Sequence, residues 1–324
     1  MQPIRRLLFL GALAAVAAFV IPDETRAQDR PKEIRIDFAT YNPVSLLIRE
    51  QGLMEKAFAA DGIKVRWVQT LGSNKALEFL NAGSIDFGST AGAAALVGRI
   101  NGNPIKAIYV YSRPEWTALV TRKDEIRSVA DLKGRRVAVT RGTDPHIFLV
   151  RALAEAKLTE RDVKLVLLQH ADGRLALERG DVDAWAGLDP MMAAAEIEGG
   201  ARLFHRKPEA NTWGILNVRE DFAQKHPEIV AKVLAVYEAA RKAAVADPAL
   251  LAKVLGDVTR LPAPIVARQI ERTDISSGAI GEPQASTILE AGLALQAAGV
   301  IKADVDVAAT VRALIDTRFV TASR

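Results

Sequence analysis

Residues 34–68, IRIDFATYNPVSLLIREQGLMEKAFAADGIKVRWV, decide the fold class. Ile34-Arg35-Ile36-Asp37-Phe38 is a short apolar run of strand length, and Ser45 to Ala60 has helical periodicity that stops at Asp61-Gly62. Ile63 to Val68 then alternates as a second strand. Strand, helix and strand in that order predict a βαβ unit, with parallel strands covered by helices.

The pattern repeats outward from this unit. Ser73 can cap a helix through Ala82, Gly83 closes it, and Ile85-Asp86-Phe87-Gly88 reads as a strand ending in a turn at Ser89-Thr90. Ile105 to Tyr111 is a buried strand, and the apolar stretch Trp116 to Thr121 carries the chain into a second series. There Arg136 to Thr140, Val163 to Leu168 and Val182 to Ala186 read as strands. Pro145 to Ala156, Asp172 to Arg179 and Asp189 to Glu198 read as helices. Trp213 to Val218 is strand-like, and everything after Asp221 has helical period, broken at Pro248, Pro262 and Pro283. Two α/β series joined by crossings near Arg113 to Leu119 and Trp213 to Val218 predict two hinged lobes: residues 28–114 with 214–324, and residues 115–213.

Residues 1–27 stand apart as a secretory leader. Arg5 and Arg6 precede an apolar run from Leu7 to Ile21, too short to span a membrane, and Ala27 suits cleavage before Gln28. The expected product is a soluble periplasmic protein of about 300 residues. The chain has no cysteine, which excludes disulfides, thiolate metal sites and a thiol nucleophile. The net charge of +4, without a basic run interleaved with aromatics, sets nucleic acid aside. Nothing in the chain calls for an oligomer, so a monomer is expected.

The most informative feature is a recurring joint in which a strand ends, a Ser, Thr or Asp follows, and a helix begins. It is read at Ser89-Thr90, at Gly142-Thr143-Asp144-Pro145-His146 and at Asp189-Pro190. Each of these residues can simply cap its own helix. Repeated at the carboxyl ends of parallel strands, the joints also offer the free N–H groups of first helical turns to an anion. Asp144 would repel that anion unless its carboxylate is directed elsewhere. Tyr41, Trp116, Trp185 and Trp213 stand at strand ends or crossings, where an aromatic can wall a cleft. Walker, dinucleotide-fingerprint, nucleophile-elbow and His-Glu-x-x-His patterns are all absent, and His146, His170, His205 and His226 show no metal-ligand spacing. His170 reads as a strand end. No cofactor is expected.

Four segments carry a resemblance: Tyr41-Asn42-Pro43-Val44-Ser45-Leu46, Ala82-Gly83-Ser84-Ile85-Asp86-Phe87-Gly88-Ser89-Thr90, Val129-Ala130-Asp131-Leu132-Lys133-Gly134 and Asp181-Val182-Asp183-Ala184-Trp185-Ala186. Together they resemble the aliphatic-sulfonate, taurine and nitrate branch of ABC-transporter substrate-binding proteins. The resemblance implies a periplasmic-binding-protein type II fold, a small organic anion such as a sulfonate as ligand, and a membrane permease as partner. It implies that Tyr41, Asn42, Ser73, Ser89, Thr90, Gly142, Thr143, Asp144, His146, Trp185 and Asp189 face the ligand. Where sulfonate binders of this family carry a second Trp before Asp-Pro and tyrosines after it, this chain has Leu188 and Met191-Met192, a more apolar and adaptable wall. The scaffold is also similar to that of pyrimidine-precursor synthases related to thiamine biosynthesis, enzymes that work inside the cell; the leader separates the two readings.

Overall fold

Alternation along short strands and amphipathic helices between them give two sheets. A computed structural model describes residues 30–319, so the leader and its cleavage position lie outside the described residues. The strands are β1 (Glu33–Phe38), β2 (Lys64–Gln69), β3 (Phe87–Ala91), β4 (Ile105–Pro114), β5 (Leu119–Thr121), β6 (Arg136–Val139), β7 (Lys164–Leu167), β8 (Ala184–Ala186), β9 (Arg202–His205), β10 (Gly214–Arg219) and β11 (Thr273–Asp274). The first sheet has the order β11-β4-β10-β3-β1-β2 and the second β7-β6-β8-β5-β9.

The unit predicted over residues 34–68 is present. β1 pairs with β2 in parallel from Glu33↔Lys64 to Phe38↔Gln69, and the helix Pro43–Glu50 lies between them in sequence. Its start is built locally: Pro43 stands in the first turn and the Asn42 side chain accepts from Ser45 N. β3 runs parallel to β1, while β10 returns between β3 and β4, antiparallel to both. In the second sheet β6 is parallel to β7 and β8, and β5 is antiparallel to β8 and β9.

The cores follow from strand period. The first sheet and its helices share one large apolar cluster. In the second sheet successive residues point to opposite faces. Val137, Val139, Ala184 and Ala186 meet Phe148, Leu149 and Leu153 on one side, while Ala138, Val120 and Trp185 meet Leu177 and Met192 on the other. The helix Ala263–Glu271 packs against the helix Met191–Ile197 through Ile265, Ala193 and Ala194.

Three local expectations are corrected. Ser89-Thr90 is not a turn: β3 runs through both, held by the ladder to β10, and the next helix, Gly92–Ile100, starts only beyond Ala91. The helix expected from Asp172 begins at His170. β11 adds a short antiparallel strand to the edge of β4, within the segment read as wholly helical.

Candidate functional site

A small cavity, with about 10 Å³ of room for a water-sized sphere, lies between residues of the two sheets; it is lined by Tyr41, Ser73, Ala91, Trp116, Thr143, Asp144, Pro145, His170 and Leu188. That is room for about one water, so a larger guest requires the two walls to move apart.

Tyr41, Ser73 and Ala91 come from the first sheet and its connections. The Tyr41 hydroxyl lies 3.1 Å from Thr70 Oγ1 and donates to the Ser89 carbonyl at 3.1 Å. Behind them sits Asp37. Its Oδ2 accepts from Thr70 Oγ1 at 2.7 Å and Ser89 N at 2.9 Å, and its Oδ1 from Ser89 Oγ at 2.8 Å. Burial pushes the Asp37 carboxyl up to about 6, against the pull of these donors. Ser73 is the first residue of the helix Ser73–Asn81 and not its cap, which is Gly72: its Oγ instead accepts from Ala91 N at 3.0 Å.

The opposite side comes mainly from the second sheet. Thr143 is the N-cap of the helix Asp144–Glu155, but its hydroxyl donates to the Thr140 carbonyl at 2.6 Å rather than capping the helix. The Asp144 carboxylate does not cap the helix either. It accepts from Trp116 Nε1 at 2.9 Å and from Thr212 N and Oγ1 at 3.2 and 2.6 Å. Thr212 Oγ1 in turn accepts from Ala93 N at 3.0 Å, so Asp144 is tied through one hydroxyl to the first turn of the helix Gly92–Ile100. Burial raises the Asp144 carboxyl above its ordinary range. His170 opens the helix His170–Arg179 and places Nδ1 3.2 Å from Thr140 Oγ1. Burial holds its ring down at about 3, so it is neutral at pH 7.

Three helix starts therefore meet at this cavity, at Ser73, Asp144 and His170, and none has a side-chain cap. Their first-turn N–H groups lack intrahelical acceptors, and the helix dipoles favour negative charge there. Among the described residues, no lysine or arginine lines the cavity. An anion held here would depend on amides and dipoles, as at other helix N-termini.

Of the residues expected at the ligand, Tyr41, Ser73, Trp116, Thr143 and Asp144 line the cavity, whereas Asn42, Ser89, Thr90, Gly142, His146, Trp185 and Asp189 do not. Asn42 donates to Ser89 Oγ at 2.8 Å, and Thr90 Oγ1 accepts from Asn217 Nδ2 at 2.7 Å; both, with Ser89, are buried in the first sheet's polar network. Gly142 has φ of +79°, a left-handed turn that only glycine adopts without strain, so it shapes the loop ahead of Thr143. His146 Nε2 pairs with Glu160 Oε1 at 2.9 Å. Trp185 is 0% exposed and lies beneath Gly173, whose added Cβ would fall 2.7 Å from the indole Nε1. Asp189 Oδ1 accepts from Ala193 N at 2.9 Å and lies 3.4 Å from Arg272 Nη1; burial pushes its carboxyl up to about 7 although Arg272 opposes this.

Sequence reasoning missed His170 as a site residue. The signal was there, since Leu168-Gln169-His170-Ala171-Asp172 is one more strand end followed at once by a helix. Histidine lies outside the capping set that defined the pattern. Ala91 and Pro145 carry no chemistry that a sequence reading could single out.

Comparison with known proteins agrees with this architecture. A protein of Escherichia coli strain K12 whose name assigns it, provisionally, to the binding of aliphatic sulfonates is 33% identical over 273 residues, 82% of each chain. The structure of the alkanesulfonate-binding protein SsuA from Xanthomonas axonopodis pv. citri bound to MOPS superposes with a TM-score of 0.79 at 27% identity, covering 87% of this chain and 98% of that one. The periplasmic aliphatic sulphonate binding protein SsuA from Escherichia coli gives a TM-score of 0.73 at 27% identity, covering 89% and 92%. Residues 57–250 match the family described as NMT1/THI5 like, and with these relatives the chain belongs to that family.

Proposed function

We propose that this protein is the periplasmic solute-binding component of an ABC importer, a non-catalytic receptor that captures a small organic anion, an aliphatic sulfonate, and delivers it to an inner-membrane permease. The observation that carries the reading is the convergence of three uncapped helix starts on one cavity where Asp144, the only carboxylate among the described residues lining it, is already bonded to Trp116 and Thr212. Amides aimed inward and an acid turned aside make a site for negative charge. The named ligand class of the relatives supports the same choice.

In this reading the two sheets are lobes, residues 28–114 with 214–324 and residues 115–213, which hinge at the crossings between them. Tyr41, Ser73, Trp116, Thr143 and Asp144 form the site. Ligand binding closes the lobes and shifts the population toward the form the permease accepts. The cleaved leader delivers the mature chain, starting near Gln28, to the periplasm. The fold hosts enzymes too, but the Ser73 and Thr143 hydroxyls, the cavity's candidate nucleophiles, are bonded to backbone groups rather than to a base.

Calorimetry and thermal melting of the mature protein with short alkanesulfonates test the proposal. Saturation at one hundred times Kd should stabilise the fold by about 2.7 kcal/mol. Silence toward alkanesulfonates, alongside a response to carboxylates or cations, would overturn the ligand class.

A further inference from the structure

Thr140 and His170 together define which face of the imidazole the cavity meets. The Thr140 hydroxyl has one proton, and it is donated to the Leu168 carbonyl at 2.7 Å. Toward His170 Nδ1, 3.2 Å away, the same oxygen can therefore only accept, so Nδ1 carries the ring proton. In the neutral ring Nε2 is then a bare acceptor. His170 is 1% exposed and lines the cavity, and its Nε2 is buried without a partner.

Nine buried side-chain atoms among the described residues lack a partner, and Asn74 Oδ1 and Gln169 Oε1, from His170's own surroundings and its chain neighbour, are two of them. Asn74 belongs to the helix Ser73–Asn81 and His170 to the helix His170–Arg179, yet both reach one spot beside Gly72. A Cβ on Gly72 would stand 2.8 Å from Asn74 Oδ1 and 3.1 Å from His170 Nε2. The Gly72 backbone is extended, with φ of 161°, so any residue could adopt it; what glycine provides here is empty space between two acceptors.

Buried acceptors without donors are costly, and in native structures each has a cause. We infer that His170 is a specificity-determining residue that, with Asn74, accepts hydrogen bonds from a donor carried by the ligand beside its anionic group, so that the site selects hydroxyl- or amino-bearing sulfonates over plain alkyl ones. This rests on the sulfonate reading above. The anion itself cannot fill the spot, because acceptor would face acceptor, so the guest must have two functional ends.

The test is isothermal calorimetry of the mature protein with ethanesulfonate, 2-hydroxyethanesulfonate and 2-aminoethanesulfonate near pH 7.5, repeated in buffers of different ionisation heat. The wild type should bind at least one of the two substituted sulfonates about ten-fold or more tighter than ethanesulfonate. The two substituted probes tell whether the donor is a hydroxyl or an ammonium. His170→Phe should bring the ratio close to unity. Gly72→Ala, which fills the spot at the expense of a shift of the Asn74 side chain and retains the imidazole, should do the same, with melting curves confirming that each variant folds. Equal affinity for all three probes overturns this inference and leaves the sulfonate reading standing, whereas silence toward all three overturns both. Uptake of about one proton on binding, seen as buffer-dependent heat, would mean that a protonated His170 grips the anion directly, and would also overturn the acceptor role. So would a preference that survives in both variants.

Discussion

Asp37 and His170 are both buried titratable groups within reach of the same cavity, at 0% and 1% exposure, and they are treated in opposite ways. Asp37 has both oxygens satisfied, by Thr70 Oγ1, Ser89 N and Ser89 Oγ. His170 has one nitrogen bonded to Thr140 and the other to nothing. A buried polar group whose bonds are all filled from within organises its neighbours, here the strand ends that carry Tyr41 and Ser89. One with an empty valence at a cavity wall is waiting for something from outside. The contrast separates the part of the site that is scaffold from the part that reads the ligand.

The strongest way to break the contrast is Asp37→Ala, which strands the Thr70 and Ser89 donors in the interior. Urea unfolding should show a loss of about 4 kcal/mol. A variant as stable as the wild type would mean that Asp37 anchors nothing.

Titration sharpens the comparison further, because the two groups pull stability in opposite directions. His170 has a folded value near 3, below its ordinary 6.5, so the unfolded chain takes up a proton first as pH falls. Its contribution should cost about 2 kcal/mol between pH 6.5 and 4.5. Asp37, raised from 3.8 to about 6, keeps its proton in the folded state after the unfolded chain has released it. Its contribution should cost about 2 kcal/mol as pH rises from 4 to 6. In the wild type the two slopes oppose each other across the overlap. Unfolding measured across this range should reveal falling stability toward higher pH in His170→Phe and toward lower pH in Asp37→Asn; unchanged slopes in either variant would remove that group from the account.

Smaller effects test how His170 is held. Gly173→Ala places a Cβ 2.7 Å from Trp185 Nε1, so the helix carrying His170 or the indole must shift. A destabilisation of about 2 kcal/mol is expected, accompanied by weaker sulfonate binding in calorimetry. Smallest is Thr143→Val, which removes the bond to the Thr140 carbonyl while keeping shape. It should cost about 1 kcal/mol in stability, a lowering of Tm by roughly 2 °C, and lower affinity about five-fold. Full affinity in this variant would argue against the helix start at Asp144 as part of the anion site.

Much of the architecture was legible before any coordinates, because alternation in residues 34–38 and 63–68 around a helical stretch leaves few arrangements that bury both strands. The glycines at 62, 83 and 180, all with positive φ, marked element ends for a local steric reason. Ser89 and Thr90 were misplaced because strand continuation there depends on pairing with β10, more than a hundred residues away. The site was half legible for the same reason. Thr143 and Ser73 follow from local joint chemistry, whereas Trp185 and Trp116 look alike in sequence and differ only in which face of the second sheet covers one and which crossing exposes the other to the cavity.

By itself, then, the order of residues determined which segments become strands and helices and where helices start, since these are set by side-chain period, caps and backbone sterics within a few residues. Which helix starts face one another, that Asp144 turns to Thr212, and that His170 Nε2 is left without a partner beside Gly72 were decided only in three dimensions. Hydrogen bonds between segments distant in the chain have no local signature, and they exist only once packing has brought those segments together.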